Sequence, residues 1–296
     1  MNAVKQILVA GLCALSASFA LPAQAQQADP QSQPDCLQLT PGAVAITNAP
    51  VTLNLRVVMD GVDVGRAQQV LADALAAYSP LAIQINASYQ YVSFTSTDAT
   101  ALIAEAKSHF GGNRPAGSDA VYVITSKDLI TNGNDNSIVG QADCIGGVAH
   151  ANTAFAVGEA LEDSPLNAAV VALYRKNAAK VLAHELGHLL GAQHHYANCA
   201  EAAAGGDAPC TLLFNDLSLQ SLKFSTLNSS VVRGAAQQFA GSGGTVVNTG
   251  ATGAGSGGSG SASGSAQGSG GGGAMSWLAL LPLALLRLRR PLQAKA

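Results

Sequence analysis

Residues 184–195 read HELGHLLGAQHH, and this run constrains the fold of the chain more than any other stretch. His184 and His188 are four apart, so on an α-helix they share one face, one turn from each other. Gly191 follows three residues after His188, and glycine ends helices because it accepts a left-handed backbone. A sharp turn there brings His194 back toward the first two imidazoles. Three imidazoles on one ion, with a fourth position left for water, form the donor set of a catalytic zinc. Glu185 projects from the neighbouring part of the same face, beside the metal rather than on it. There it can take a proton from metal-bound water. The expected metal ligands are therefore His184, His188 and His194 around a single Zn²⁺, and the expected catalytic base is Glu185.

The rest of the chain divides by composition. Residues 1–25 read as a secretory signal peptide: Lys5, an uncharged apolar stretch from Ile7 to Leu21, then the small-x-small site Ala23-Gln24-Ala25. Residues 26–49 form an amino-terminal arm, and 50–240 hold the catalytic domain. Residues 241–274 are Gly, Ser, Thr and Ala with almost nothing large, too little apolar area to offset ordering entropy, so they read as a linker. Residues 275–296 are a short apolar run ending in Arg287, Arg289 and Arg290. What remains suits one domain. A net charge of -3 without a basic face gives nucleic-acid binding no electrostatic support.

Within the domain, Leu53–Met59 and Ala82–Ser96 alternate as strands, and Val64–Tyr78 carries apolar residues at helical spacing before Pro80. Asp98 caps a helix running to about Phe110, which Gly111-Gly112 ends. Ala120–Thr125 reads as a buried strand, and Ile138–Val148 and Thr153–Val157 as Gly-rich strands. Pro165 and Asn167 open a long helix through Leu190. This order indicates an α/β fold with a mostly parallel sheet. The loop 131–137 is rich in Asx side chains, which offer Ca²⁺ ligands without a diagnostic spacing.

Cys36, Cys144, Cys199 and Cys210 are an even set in a chain expected to be exported, which suggests two disulfides. Cys199 and Cys210 are close in sequence, which would leave Cys36 with Cys144. Three pairings remain open, and so does a latent form in which the Cys36 thiolate caps the metal.

The run His184, Glu185, His188, Gly191, His194 resembles the signature of the metzincin metallopeptidases, H-E-x-x-H-x-x-G-x-x-H, at every position. The reprolysin or adamalysin-like branch is the nearest in element order. The resemblance implies a twisted, mostly parallel sheet, an active-site helix, a smaller carboxyl-terminal subdomain and endopeptidase activity on peptide or protein substrates. It also implies that Val139–Ala149 is similar to the edge-strand region that cradles substrate. The chain departs from the pattern twice. Cys210-Thr211-Leu212-Leu213, with Phe224-Ser225 beyond, resembles the family's Cys-Ile-Met … Phe-Ser segment, but Leu212 stands where methionine is expected. His195 stands where an aspartate usually follows the third ligand, and it could compete with His194 as a ligand. These departures keep a second reading in view: a catalytically weak or inactive zinc-containing surface binding module.

Gly270–Gly273, the apolar run and the basic cluster together resemble the GlyGly-CTERM sorting signal of Gram-negative bacteria. That resemblance implies transient inner-membrane anchoring, cleavage by a rhomboid-type protease, and delivery to the cell surface or medium by secretion machinery of type II.

Overall fold

The computed structural model describes residues 35–241, apart from 38, 40, 41, 43, 131–137, 161–167, 195–209, 215 and 218. The expected signal peptide, sorting segment, Asx-rich loop, His195 and the start of the long helix at Pro165 lie outside the described residues, as does nearly all of the linker.

Among the described residues the strands and α-helices follow in order: β1 (Val51–Asp60), α1 (Val64–Tyr78), β2 (Ile83–Tyr91), α2 (Ala99–His109), β3 (Ala120–Thr125), β4 (Gly140–Ala142), β5 (Phe155–Glu159), α3 (Ala168–Leu189) and α4 (Thr226–Phe239). The sheet runs β2-β1-β3-β5-β4. Four strands are parallel, and only the edge strand β4 runs antiparallel, to β5. Parallel strands covered on both faces should be apolar throughout rather than alternating, and all six residues of β3 are buried. On one face Leu55, Val57, Tyr122 and Ile124 pack with α1, α3 and α4. On the other, Val58, Val121, Val123 and Val157 pack with Leu102 and Ile103 of α2.

Local signals account for the helix starts. Asp63 accepts the Arg66 amide at 2.9 Å, and Asp98 accepts that of Ala101 at 3.0 Å. The helix α1 spans the residues its periodicity predicts. The strand expected over Ala82–Ser96 is β2, which ends at Tyr91, and the one expected over Thr153–Val157 lies at Phe155–Glu159.

The expectation of a strand over Ile138–Val148 is not met, since β4 keeps only three residues of it. Gly146 adopts φ 75° and donates its N–H to the His188 carbonyl at 2.8 Å, drawing the chain off the β5 ladder into a 3₁₀ turn at Gly147–Ala149. Tertiary bonding to α3 overrides the β-propensity of this stretch.

Helix α4 was not anticipated from sequence. Its signal was present in the Ser225 cap, which accepts the Asn228 amide at 3.2 Å, and in Val231, Val232, Ala235 and Ala236, buried at helical spacing.

Candidate active site

The two histidines of the active-site helix stand one turn apart, as their spacing requires, and both are buried. The helix then closes on a Schellman arrangement. Gly191, at φ 86°, donates to the His188 carbonyl at 2.8 Å, and Ala192 donates to that of Gly187 at 2.9 Å. The reversal returns His194 to the helix. The three Nε2 atoms then lie 2.9 Å apart (His184 to His194), 2.9 Å (His188 to His184) and 3.0 Å (His188 to His194). Among the described residues this is the one group of three or more His, Cys, Asp or Glu able to hold a metal ion.

The protonation of two of these rings follows from their partners. His184 Nδ1 lies 2.8 Å from the Leu212 carbonyl, and His188 Nδ1 lies 2.7 Å from that of Ala192. Carbonyls only accept, so in the neutral rings the hydrogen sits on Nδ1 and each Nε2 presents a lone pair. The Gln220 amide nitrogen also lies 3.3 Å from His184 Nδ1, but it donates to the Phe214 carbonyl, and the closer Leu212 carbonyl takes the imidazole hydrogen. Two lone pairs facing each other at 2.9 Å repel, and His194 can donate to at most one of them. A cation shared by all three rings satisfies the arrangement, and bare nitrogen donors with fixed tautomers are what zinc binds.

Glu185 is fully buried against the edge strand. A Cβ on Gly140 would come within 2.8 Å of its Oε1 and 2.6 Å of Val181 Cγ1, so only glycine lets β4 lie this close to α3. The register pairs Gly140 with Gly158, whose missing Cβ leaves room for the Tyr122 hydroxyl. Burial raises the pKa of Tyr78 and Tyr122 well above the ordinary tyrosine value, and the Glu185 charge adds to it, so both rings stay neutral hydrogen-bond donors. Tyr78 donates to the Ala183 carbonyl at 2.7 Å, tying α1 to the helix one residue before His184.

The segment under the site contains Leu212, fully buried at the position expected for methionine. Phe224 packs against Gly187, where a Cβ would meet its Cε1 at 2.8 Å, and stands edge-on to Tyr78 with ring centroids 5.4 Å apart. Asn228, buried in α4, holds both backbone groups of Gln193: its Nδ2 donates to the carbonyl at 2.9 Å and its Oδ1 accepts the amide at 3.2 Å. Sequence reasoning missed this residue, because a lone Asn in an uncharged stretch carries no metal-site signal. His109, at the end of α2, meets Gln90 at 3.0 Å. One turn before Glu185, Val139, Glu159, Tyr174, Ala178, Val181 and Leu217 line a cleft.

The amino-terminal arm is bonded covalently to the domain by the Cys36–Cys144 disulfide. The latent form with a Cys36 thiolate on the metal is thereby excluded in this state. Cys210 is also disulfide-bonded, and its partner lies outside the described residues.

A mostly parallel α/β sheet, an active-site helix and three convergent imidazoles define a zinc metallopeptidase of the zincin class. The chain belongs to metallo-peptidase family M12: the Reprolysin_5 profile of that family matches residues 67–225, more than half of the chain. Solved structures similar to it include archaemetzincin from Methanopyrus kandleri, at 19% identity, 63% of this chain, 96% of that one and a TM-score of 0.44. Metalloproteinase-II from Bacteroides fragilis is 15% identical over 69% of this chain and 57% of that one, with a TM-score of 0.44. A zinc-dependent peptidase from Methanocorpusculum labreanum is 13% identical over 60% and 99%, with a TM-score of 0.42. These likenesses are distant, and nothing about substrate or partners follows from them. Comparison with curated proteins gave no match.

Proposed function

We propose that this chain is an exported zinc endopeptidase in which His184, His188 and His194 hold the metal and Glu185 is the general base. The observation that carries the reading is the convergence of three Nε2 atoms within 3.0 Å, with two tautomers set by carbonyls and Glu185 adjacent in sequence and buried beside them. Held by His184, His188 and His194, a zinc ion would supply Lewis acidity, lowering the pKa of a water there to about 7. Glu185 accepts the proton of the attacking water and returns it to the leaving amine. Substrate would lie extended along β4, pairing with the outward backbone groups of the edge strand. One of its side chains would enter the cleft before Glu185.

The route we propose is export through the 1–25 signal peptide, transient anchoring of 275–296 in the inner membrane, cleavage near Gly270–Gly273 by a rhomboid-type protease, and delivery to the surface or medium. No helix of the described residues is long and apolar enough to cross a membrane. The supports for this route are the composition of the two ends and a disulfide between Cys36 and Cys144, a bond that persists in oxidising compartments.

Glu185→Gln tests the mechanism. The variant should bind zinc as the wild type does and cut no peptide in a mixed library that the wild type cuts. Wild-type turnover by the variant would sink the assignment of the base. Zinc binding with no turnover by either protein would favour the binding-module reading.

A further inference from the structure

The arm before β1 runs beneath the metal centre rather than away from it. Cys36 donates its N–H to the Ile145 carbonyl at 2.8 Å, and Asp35 bridges Ile145. Next to the disulfide, the Leu37 backbone lies so close to Gly146 that a Cβ on the glycine would collide with the Leu37 carbonyl. That same Gly146 donates to the carbonyl of the ligand His188. Two residues further along the arm, Leu39 packs on Gly191, the turn that returns His194, with its Cδ1 3.6 Å from the glycine's Cβ position. Beyond it, Val44 lies against Gly234, and Arg233 donates to the Thr47 carbonyl at 2.9 Å. The arm therefore touches the glycine that bonds the His188 carbonyl and the reversal before His194.

We propose that the Cys36–Cys144 disulfide is a positioning element of the metal centre, so that the chain holds zinc tightly only once that bond has formed. This rests on the assignment of His184, His188 and His194 as ligands. The bond joins residues 108 apart in sequence. Without it, Leu37 and Leu39 are held against Gly146 and Gly191 only by contacts the arm makes for itself. Partners that orient metal ligands typically change metal affinity by about 10- to 100-fold when removed. Bond formation takes two electrons and two protons from the Cys36 and Cys144 thiols to a disulfide-bearing oxidant, which leaves as a dithiol. A chain still in a reducing compartment would thus hold its metal weakly, which gives a peptidase a means of restraint before export.

The test is the rate of zinc release from the full-length oxidised chain into a colorimetric chelator, well below the melting temperature. Wild type is compared with the Cys36→Ser/Cys144→Ser double variant and with Leu39→Ala, which keeps the bond and loosens the contact on Gly191. Release should be about tenfold faster or more in the double variant, and faster in Leu39→Ala, while circular dichroism stays native-like. A merely structural bond would lower the melting temperature and leave the release rate alone. Equal release from wild type and a folded double variant overturns the inference. Should the double variant not fold, unchanged release from Leu39→Ala overturns it. A wild type that takes up no zinc overturns the ligand assignment itself, and this inference with it.

Discussion

His184 donates its Nδ1–H to the carbonyl of Leu212 at 2.8 Å, so the residue standing where the metzincin resemblance puts methionine holds His184 through its backbone. The Leu212 amide in turn donates to the Lys223 carbonyl at 2.7 Å, which sets the height of the turn under the site. The Leu212 side chain is fully buried in the core cluster to which α1, α3 and α4 contribute. Leu212→Met should therefore cost under about 1.5 kcal/mol and leave zinc affinity intact. Leu212→Ala should cost about 2–5 kcal/mol through the cavity it opens. Thermal unfolding of the metal-free variants distinguishes the two.

Asn228 bonds both backbone groups of the residue before His194. Asn228→Ala should weaken zinc binding by about 10- to 100-fold, measured by chelator competition. Asn228→Asp keeps the acceptor and loses the donor, so it should fall between. Unchanged affinity in both variants would mean that Gly191 alone places the third ligand.

Gly140→Ala puts a methyl group against Val181 and the Glu185 carboxylate. The edge strand or Glu185 must shift, so kcat should drop while zinc content stays at the wild-type level. Metal analysis beside peptide hydrolysis reads both. The paired Gly158→Ala would instead meet the Tyr122 ring and lower stability first.

Glu159 is the carboxylate among the residues lining the cleft before Glu185, whose other walls include Val139, Ala178, Val181 and Leu217. The Glu159 carboxylate accepts the Leu129 amide at 2.5 Å, and its charge at the cleft would favour a cationic side chain of the substrate over an apolar one. Glu159→Gln should lower kcat/KM about tenfold or more for peptides with Lys or Arg at the selected position and leave aliphatic ones unchanged. Identical cleavage maps for the two proteins would remove Glu159 from selectivity.

Glu105 has its pKa lowered, first by the hydrogen bond from the Thr95 hydroxyl and further by the Thr95 and Ser96 amides. A depressed carboxylate stabilises the fold above its unfolded pKa, and that contribution disappears as pH falls through the folded value. Wild-type stability should therefore rise with pH through the acid range below the usual glutamate value. Glu105→Gln should flatten part of that rise, as denaturant titrations at stepped pH would show.

The histidine run, the helix cap at Asp98 and the boundaries of α1 were legible in the sequence because each is written within a few neighbouring residues. Periodicity, a capping side chain and a glycine after the last turn act over one or two turns of chain. What holds the ligands was not legible. The partner of His184 is a carbonyl 28 residues away, and every residue carries the same carbonyl, so no side chain announces it. The shortening of β4, the grip of Asn228 on Gln193 and the docking of the arm on Gly146 and Gly191 depend equally on backbone atoms brought together by packing. Neighbouring residues along the chain set which side chains can bind a metal. Packing set which backbone groups orient them, because hydrogen bonds across the core are selected by geometry and not by residue type.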